Sequence, residues 1–144
     1  MSASPNIPPP TSPATTKSMR GNRGKDTKPE LELRRLLRAA GYPGYRVHWK
    51  KAPGRPDIAY PGRRVAVFVN GCFWHRCPNC APAMPKSHKD YWMAKFGANS
   101  ERDARKLAEL DAAGWLAIVV WECEIKAAPG DVVARIAETL GRRD

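Results

Sequence analysis

Most of the thiols in this chain lie in one stretch, Gly71-Cys72-Phe73-Trp74-His75-Arg76-Cys77-Pro78-Asn79-Cys80, which carries all but one of the 4 cysteines. The spacing is Cys-x4-Cys-x2-Cys. A Cys-x-x-Cys turn lets two thiolates reach one tetrahedral ion at about 2.3 Å. The remaining cysteine, Cys123, follows the apolar run Trp115 to Trp121. If that run lies parallel to the strand predicted over Arg64–Val69, the C-terminal ends of the two strands meet, and Cys72, Cys77, Cys80 and Cys123 can share one zinc ion. Such a site has no open coordination position, so it would brace the loop rather than catalyse. A redox pair across Pro78-Asn79 and unliganded structural cysteines are the alternatives. A thioredoxin-type pair normally opens a helix, whereas this segment runs on through two more prolines.

His75 sits inside the same loop. With four thiolates available for zinc, it is free to act as a general base near neutral pH. Asp103 could orient it, or could be a solvated charge on a helix. Asp57 ends Gly54-Arg55-Pro56-Asp57 and begins a short strand. A carboxylate there, with a backbone carbonyl near Val69-Asn70, is a plausible partial shell for Mg²⁺; a turn or capping aspartate is the plainer alternative. Phe73 and Trp74 are adjacent in a basic loop. Exposed, they could wedge between base pairs or stack on an unpaired base; one of them could instead roof the zinc site. Trp92, near Lys95, is a third candidate, while Trp115 and Trp121 read as core.

These side chains need elements to hold them. Thr27-Lys28-Pro29-Glu30 has the form of a capping box, with Leu33, Leu36, Leu37 and Ala40 repeating at helical spacing until Gly41. Tyr45–Trp49 alternates like a strand, 57–60 and 64–69 read as a hairpin across Pro61-Gly62, and 81–86 stays irregular. Ser87 is expected to cap a helix that Gly97 breaks or bends, followed by a second helix over 100–113. The run 115–121 reads as a strand covered on both faces and parallel to its neighbour. Asp131 is expected to cap a last amphipathic helix ending at Gly141. The order is helix, three strands, helix pair, buried strand, helix, and it predicts a mixed α/β sheet with helices packed against it.

The 144 residues suit one domain, and 42% are hydrophobic. Lys and Arg number 25 against 14 acids, a formal charge of +11, which points to a polyanionic partner, nucleic acid before an anionic membrane surface. No apolar run approaches the roughly 20 residues of a spanning helix. Without a secretory start, a cytoplasmic, nucleoid-associated location with reduced thiols is expected. Residues 1–18, rich in Pro, Ser, Thr and Ala, are expected to form a disordered tail. Residues 19–26 carry Arg20, Arg23 and Lys25 and could form a basic arm that orders on a phosphate backbone. Residues 19–144 are then one domain.

Together, Gly54 to Asp57, Val67 to His75, Tyr91-Trp92 through Asn99, Glu101-Arg102-Asp103, Gly114-Trp115 and Val120-Trp121-Glu122 resemble the very short patch repair (Vsr) DNA mismatch endonucleases; Lys25 to Glu30 matches the family's opening motif. The resemblance implies a variant of the restriction-endonuclease, PD-(D/E)xK-type fold with a structural zinc site. It implies an Mg²⁺-dependent enzyme that nicks one strand of duplex DNA 5′ to the thymine of a T·G mismatch, the product of 5-methylcytosine deamination. By position, Asp57 would hold Mg²⁺ with the main-chain carbonyl of Val69, His75 would be the base with Asp103 its partner, and Glu30 would lie near the catalytic centre. Phe73, Trp74 and Trp92 would form the wedge, and the arm with Arg20, Arg23 and Lys25 would clamp the DNA. A monomer is expected, with repair-pathway proteins as further partners. Asn70 stands where some members have a histidine or an acid, and Cys77 where some have histidine. Two other functions compete: a restriction-type or structure-selective nuclease without mismatch specificity, and a zinc-stabilised DNA-binding module without catalysis. Asp57, His75 and Asp103 together disfavour the last, because binding alone needs none of them.

Overall fold

A computed structural model describes residues 26–143. The expected tail over 1–18 and all of the expected arm except Asp26 lie outside the described residues. The chain forms α1 (Lys28–Ala39), β1 (Arg46–Val47), β2 (Ile58–Tyr60), β3 (Val65–Asn70), α2 (Cys72–His75), α3 (Lys89–Ala112), β4 (Leu116–Trp121), α4 (Glu122–Ala127) and α5 (Pro129–Gly141). The sheet order is β1-β2-β3-β4. The first two pairings are antiparallel, while β3 and β4 run parallel from Val65↔Leu116 to Asn70↔Trp121. The sheet is thus mixed, as the sequence predicts, with the 2/3 hairpin and the parallel pair both in place.

β3 is the centre of the molecule, and every one of its residues is buried. Its side chains alternate between two cores, as a pleated strand requires. Val65, Val67 and Val69 face the larger core with Leu33 and Leu37 of α1, Ile125 of α4, and Val132, Ile136 and Leu140 of α5. Ala66 and Phe68 face a smaller core with Leu110 of α3, flanked by Trp49, Leu107 and Trp115. Both faces of the strand are therefore covered by helices.

Local chemistry sets the helix ends. Thr27 Oγ1 accepts the main-chain N–H of Glu30 at 3.4 Å, while the Glu30 carboxylate reaches back to the N–H of Asp26 at 3.0 Å. α1 closes with the N–H of Tyr42 on the carbonyl of Leu37 and that of Gly41 on Arg38, with Gly41 at φ +93. α3 closes in the same way: Trp115 bonds to Leu110 and Gly114, at φ +81, to Asp111. These are paired 6→1 and 5→2 closures around a left-handed glycine. They carry an apolar residue, Tyr42 or Trp115, straight back onto the core.

Several expectations need correction. The strand expected over 45–49 shortens to Arg46–Val47, because His48 turns into the left-handed region at φ 46. Gly97 does not break its helix, and the two helices expected are one: α3 is continuous for 24 residues. Trp92, Phe96 and Asn99 are buried around Gly97, and that packing outweighs a glycine cost of about 1 kcal/mol. α3 starts at Lys89 after a left-handed His88, not on a Ser87 cap. Cys72–His75 is a helical turn rather than open loop. Glu122, expected only as the end of a strand, begins α4, where the Glu124 carboxylate accepts the N–H of Trp121 at 2.9 Å. α5 starts at Pro129, which places Asp131 in its first turn instead of at the cap. β4 is an edge strand whose first residues, Leu116 and Ala117, are exposed, so it is not covered on both faces along its length.

A Cβ added at Gly97 would meet nothing within 4 Å. Gly97→Ala is therefore expected to stabilise the protein by about 0.5–1 kcal/mol, read as a higher urea midpoint at unchanged m-value. A lower midpoint would mean that the helix needs the glycine.

Candidate active site and cysteine cluster

The parallel pairing ends at Asn70↔Trp121, and the chain turns into a helix on each side. α2 and α4 thus start side by side above the same edge of the sheet. Their joint is polar: the Glu122 carboxylate faces the N–H of Cys72 at 3.5 Å, and the N–H of Cys123 donates to Cys72 Sγ at 3.4 Å. The four sulfurs of Cys72, Cys77, Cys80 and Cys123 lie within 4.8 Å of one another. Cys77 Sγ and Cys123 Sγ are 3.7 Å apart, and all four cysteines are unbridged. A tetrahedron with metal–sulfur bonds of about 2.3 Å has edges of about 3.8 Å, so the donor set fits a thiolate-bound zinc ion in chemistry and in spacing.

One turn of helix separates this cluster from His75. The imidazole Nδ1 lies 2.6 Å from Asp103 Oδ2 on α3. An anionic carboxylate at Nδ1 fixes the proton there and leaves Nε2 as the acceptor. The position of α2 is locked by Asn99, whose amide donates to the carbonyl of Trp74 at 3.0 Å; Arg102 in turn donates to Asn99 at 3.4 Å. Phe73 and Trp74 are half-buried and meet edge to face at 5.2 Å. Trp92, only 2% exposed, lies beneath them with Phe96, at 5.3 and 5.4 Å from the Phe73 ring. Trp92 therefore underlies the aromatic pair instead of standing at the surface with it.

Across the cleft, Asp57 precedes β2 and turns back to β3. Its Oδ2 accepts the main-chain N–H of Val69 at 2.7 Å. Burial pushes its carboxyl up to about 6, reinforced by the Glu30 carboxylate and opposed by the Val69 N–H, His48 and Lys106. Glu30 is 2% exposed, and burial raises its carboxyl too. A terminal nitrogen of Arg34 lies 3.2 Å from Glu30 Oε2, 2.9 Å from Asp26 Oδ1 and 3.1 Å from His48 Nε2. That guanidinium occupies the middle of the Asp26–Glu30–His48 group as a built-in cation. His48 links this group to Asp57, with Nδ1 at 3.9 Å from Asp57 Oδ1. Glu30, Asp57, His75 and Asp103 line one cleft of about 730 Å³ with Phe73 and Trp74. Arg20, Arg23 and Lys25 lie outside the described residues.

Several residues carry no role in the sequence reading: His48 and Arg34, which contact Glu30 and Asp57 outside the cleft lining, and the α3 cleft residues Lys95, Asn99, Arg102 and Lys106. The last four, with Asp103, follow helical spacing along one face. That stripe is visible in the sequence only when the helix is read through Gly97.

A carboxyl whose folded-state pKa exceeds its unfolded value of about 3.9 favours the fold most when protonated. That contribution is full below pH 4 and disappears as pH rises through about 6. Asp57→Asn cannot ionise, so without Mg²⁺ it is expected to be more stable than the parent protein at pH 8 by on the order of 2 kcal/mol, with the advantage gone by pH 4. Melting curves at the two pH values check this; identical behaviour would contradict the buried-charge account.

The profile of the DNA mismatch endonuclease Vsr family matches residues 11–81. A type II nicking enzyme of Xanthomonas oryzae pv. oryzae is 50% identical over 103 residues, 72% of this chain and 75% of that protein. The DNA mismatch endonuclease Vsr of Escherichia coli is 36% identical over 111 residues, covering 77% of this chain and 70% of its own length. A type II nicking enzyme of Lentzea aerocolonigenes is 38% identical and spans 96% of this chain and 83% of its own. With half of the aligned residues shared with one relative over 72% of this chain, and with Glu30, Asp57 and His75 inside the segment that the family profile matches, the chain belongs to the Vsr DNA mismatch endonuclease family.

Proposed function

We propose that this protein is a DNA mismatch endonuclease that nicks one strand of duplex DNA 5′ to the thymine of a T·G pair. The observation that carries the reading is the His75–Asp103 pair at 2.6 Å, in the same cleft as Asp57 and beside a partly exposed aromatic pair. A binding module has no use for an oriented imidazole facing a buried carboxylate. The charge of +11 suits a phosphate-rich partner, and no described helix is long and apolar enough to cross a membrane. The fold is then of the restriction-endonuclease type, and the basic arm with Arg20, Arg23 and Lys25 closes on the duplex.

In the reaction, Nε2 of His75 takes the proton of the water whose oxygen attacks phosphorus, and the phosphorus–oxygen bond opposite breaks. Asp103 holds the ring through Nδ1 and stabilises the imidazolium that forms. Asp57 and the carbonyl of Val69 would hold Mg²⁺, which when bound supplies charge stabilisation at the phosphate. Asp57 suits this task because the N–H of Val69 fixes one carboxylate oxygen and leaves the other toward the cleft. Glu30 is tied to Arg34, His48 and the N–H of Asp26, so its work is to anchor the wall behind Asp57. Phe73 and Trp74 would enter the base stack at the mismatch with Trp92 as their support. Zinc on Cys72, Cys77, Cys80 and Cys123 would keep α2 in place.

Nicking of labelled duplexes carrying T·G, matched or other mismatched pairs, with Mg²⁺ and with EDTA, tests the reading. The T·G strand is expected to be cut only with Mg²⁺ and not by Asp57→Ala, and His75→Ala is expected to be slower by about 10²- to 10⁴-fold. Failure to nick T·G DNA in any flanking sequence sinks the mismatch reading. Equal cutting of matched DNA replaces it with a nuclease of the same family lacking mismatch specificity. Elemental analysis of reductively purified protein is expected to give one zinc per chain, with Cys123→Ser lowering both zinc content and melting temperature.

A further inference from the structure

Lys106 is a cleft residue for which neither folding nor the proposed chemistry gives a role. It lies on α3, one turn beyond Asp103, so both face the cleft. It also borders a small adjoining hollow with Asn70, Asp103 and Phe68. The base of its stem lies against Gly54. Gly54, at φ +76, lies so close that a Cβ there would sit 2.8 Å from Lys106 Cβ and 3.0 Å from Cγ. On the other side its ammonium stands 5.9 Å from the centroid of the Phe68 ring.

Three features set this ammonium apart from an ordinary surface lysine. The side chain is half-buried and its first carbons lie against Gly54, so part of its rotamer freedom is already lost before binding. Among the described residues, no carboxylate forms an ion pair with it. Asp57 nonetheless feels its charge, as the weakest of the influences on that carboxyl, which places a cation within electrostatic reach of it. A lysine on the wall of this cleft, half-buried as a residue and with no carboxylate partner among the described residues, has donors free for an anion. The anion that the nicking reaction brings there is a phosphate.

We propose that Lys106 is a direct phosphate ligand of this site: its ammonium binds a non-bridging oxygen of the phosphate flanked by Asp57 and His75, and offsets the negative charge that builds there as water attacks. The glycine at position 54 then has a reason, since any side chain would displace the lysine stem. The proposal rests on the nicking reading, but one of its readouts does not.

The full-length protein with Lys106→Met keeps the stem and removes the charge, and Lys106→Arg keeps the charge. Two quantities are read: the single-turnover nicking rate with Mg²⁺, and the slope of log K against log salt for binding the same duplex without Mg²⁺. Lys106→Met is expected to nick about 100-fold more slowly. Its salt slope is expected to be shallower by about 0.9, the loss of one phosphate contact. Lys106→Arg is expected to keep the slope and stay within about tenfold of the parent rate, and both variants to melt as the parent does. Unchanged rate and slope in Lys106→Met would overturn the proposal. So would equal losses in both variants accompanied by a lowered melting temperature, which would assign Lys106 to packing on Phe68. If Lys106→Met does not fold, Lys106→Gln reads the same quantities. A parent protein that nicks nothing would remove the nicking reading while the salt slope still decides whether Lys106 meets phosphate.

Discussion

The parallel pairing of β3 with β4 is the constraint on which the site depends. A parallel pair brings like ends together, and the register Asn70↔Trp121 brings them level. Cys72 and Cys123, far apart in sequence, then stand two residues past the paired ends and within bonding range of one ion. The chain cannot continue as sheet there, and it turns into helices whose first N–H groups face Glu122 and Cys72 Sγ. The aromatic pair and His75 ride on α2, so the pairing of two buried strands fixes the position of the imidazole. β3 can hold this register because it is covered on both faces, and a one-residue slip would send Val65, Val67 and Val69 into the wrong core.

The second organising force is electrostatic. Asp57 and Glu30 are two carboxylates in one poorly solvated wall; burial raises the proton affinity of both, and the Glu30 charge raises that of Asp57 further. Such an arrangement costs stability unless positive charge is supplied. Arg34 supplies it on the Glu30 side as a fixed cation among Asp26, Glu30 and His48. On the cleft side Asp57 has only the Val69 N–H and the more distant His48 and Lys106. The charge is thus balanced behind the cleft and left short in front of it, where a divalent ion and a phosphate would come. Perturbed carboxylates of this kind are a usual mark of a working site.

The aromatic cluster combines support with exposure. Trp92 and Phe96 are buried in α3, and Phe73 packs edge to face on both, so the two half-exposed rings of α2 stand on a rigid base. Asn99 ties the same turn to α3 through the carbonyl of Trp74. A ring that must enter a base stack works best when it cannot fold away, and this packing serves that end.

Much of this was legible in the sequence. The Thr27 cap, the glycine stops at Gly41 and Gly114, the hairpin across Pro61-Gly62 and the parallel run before Cys123 follow from local rules that side-chain type and spacing obey, although Glu30 closes on the N–H of Asp26 and not on that of Thr27. The motifs around Asp57, the cysteine stretch and Asp103 were enough to place the chain near its family. The tertiary structure decided what local rules cannot reach. It carried α3 through Gly97, because burial of Trp92, Phe96 and Asn99 outweighs one glycine, and so aligned Lys95, Asn99, Arg102, Asp103 and Lys106 on one face. It turned Cys72–His75 into a helix and sank Trp92 beneath the aromatic pair. It set His48 and Arg34 against Glu30 and Asp57, contacts between segments whose separation along the chain gives no periodic signal. Sequence fixes which groups a segment can offer; the burial and charge that make them a site arise only when distant segments share one low-dielectric wall.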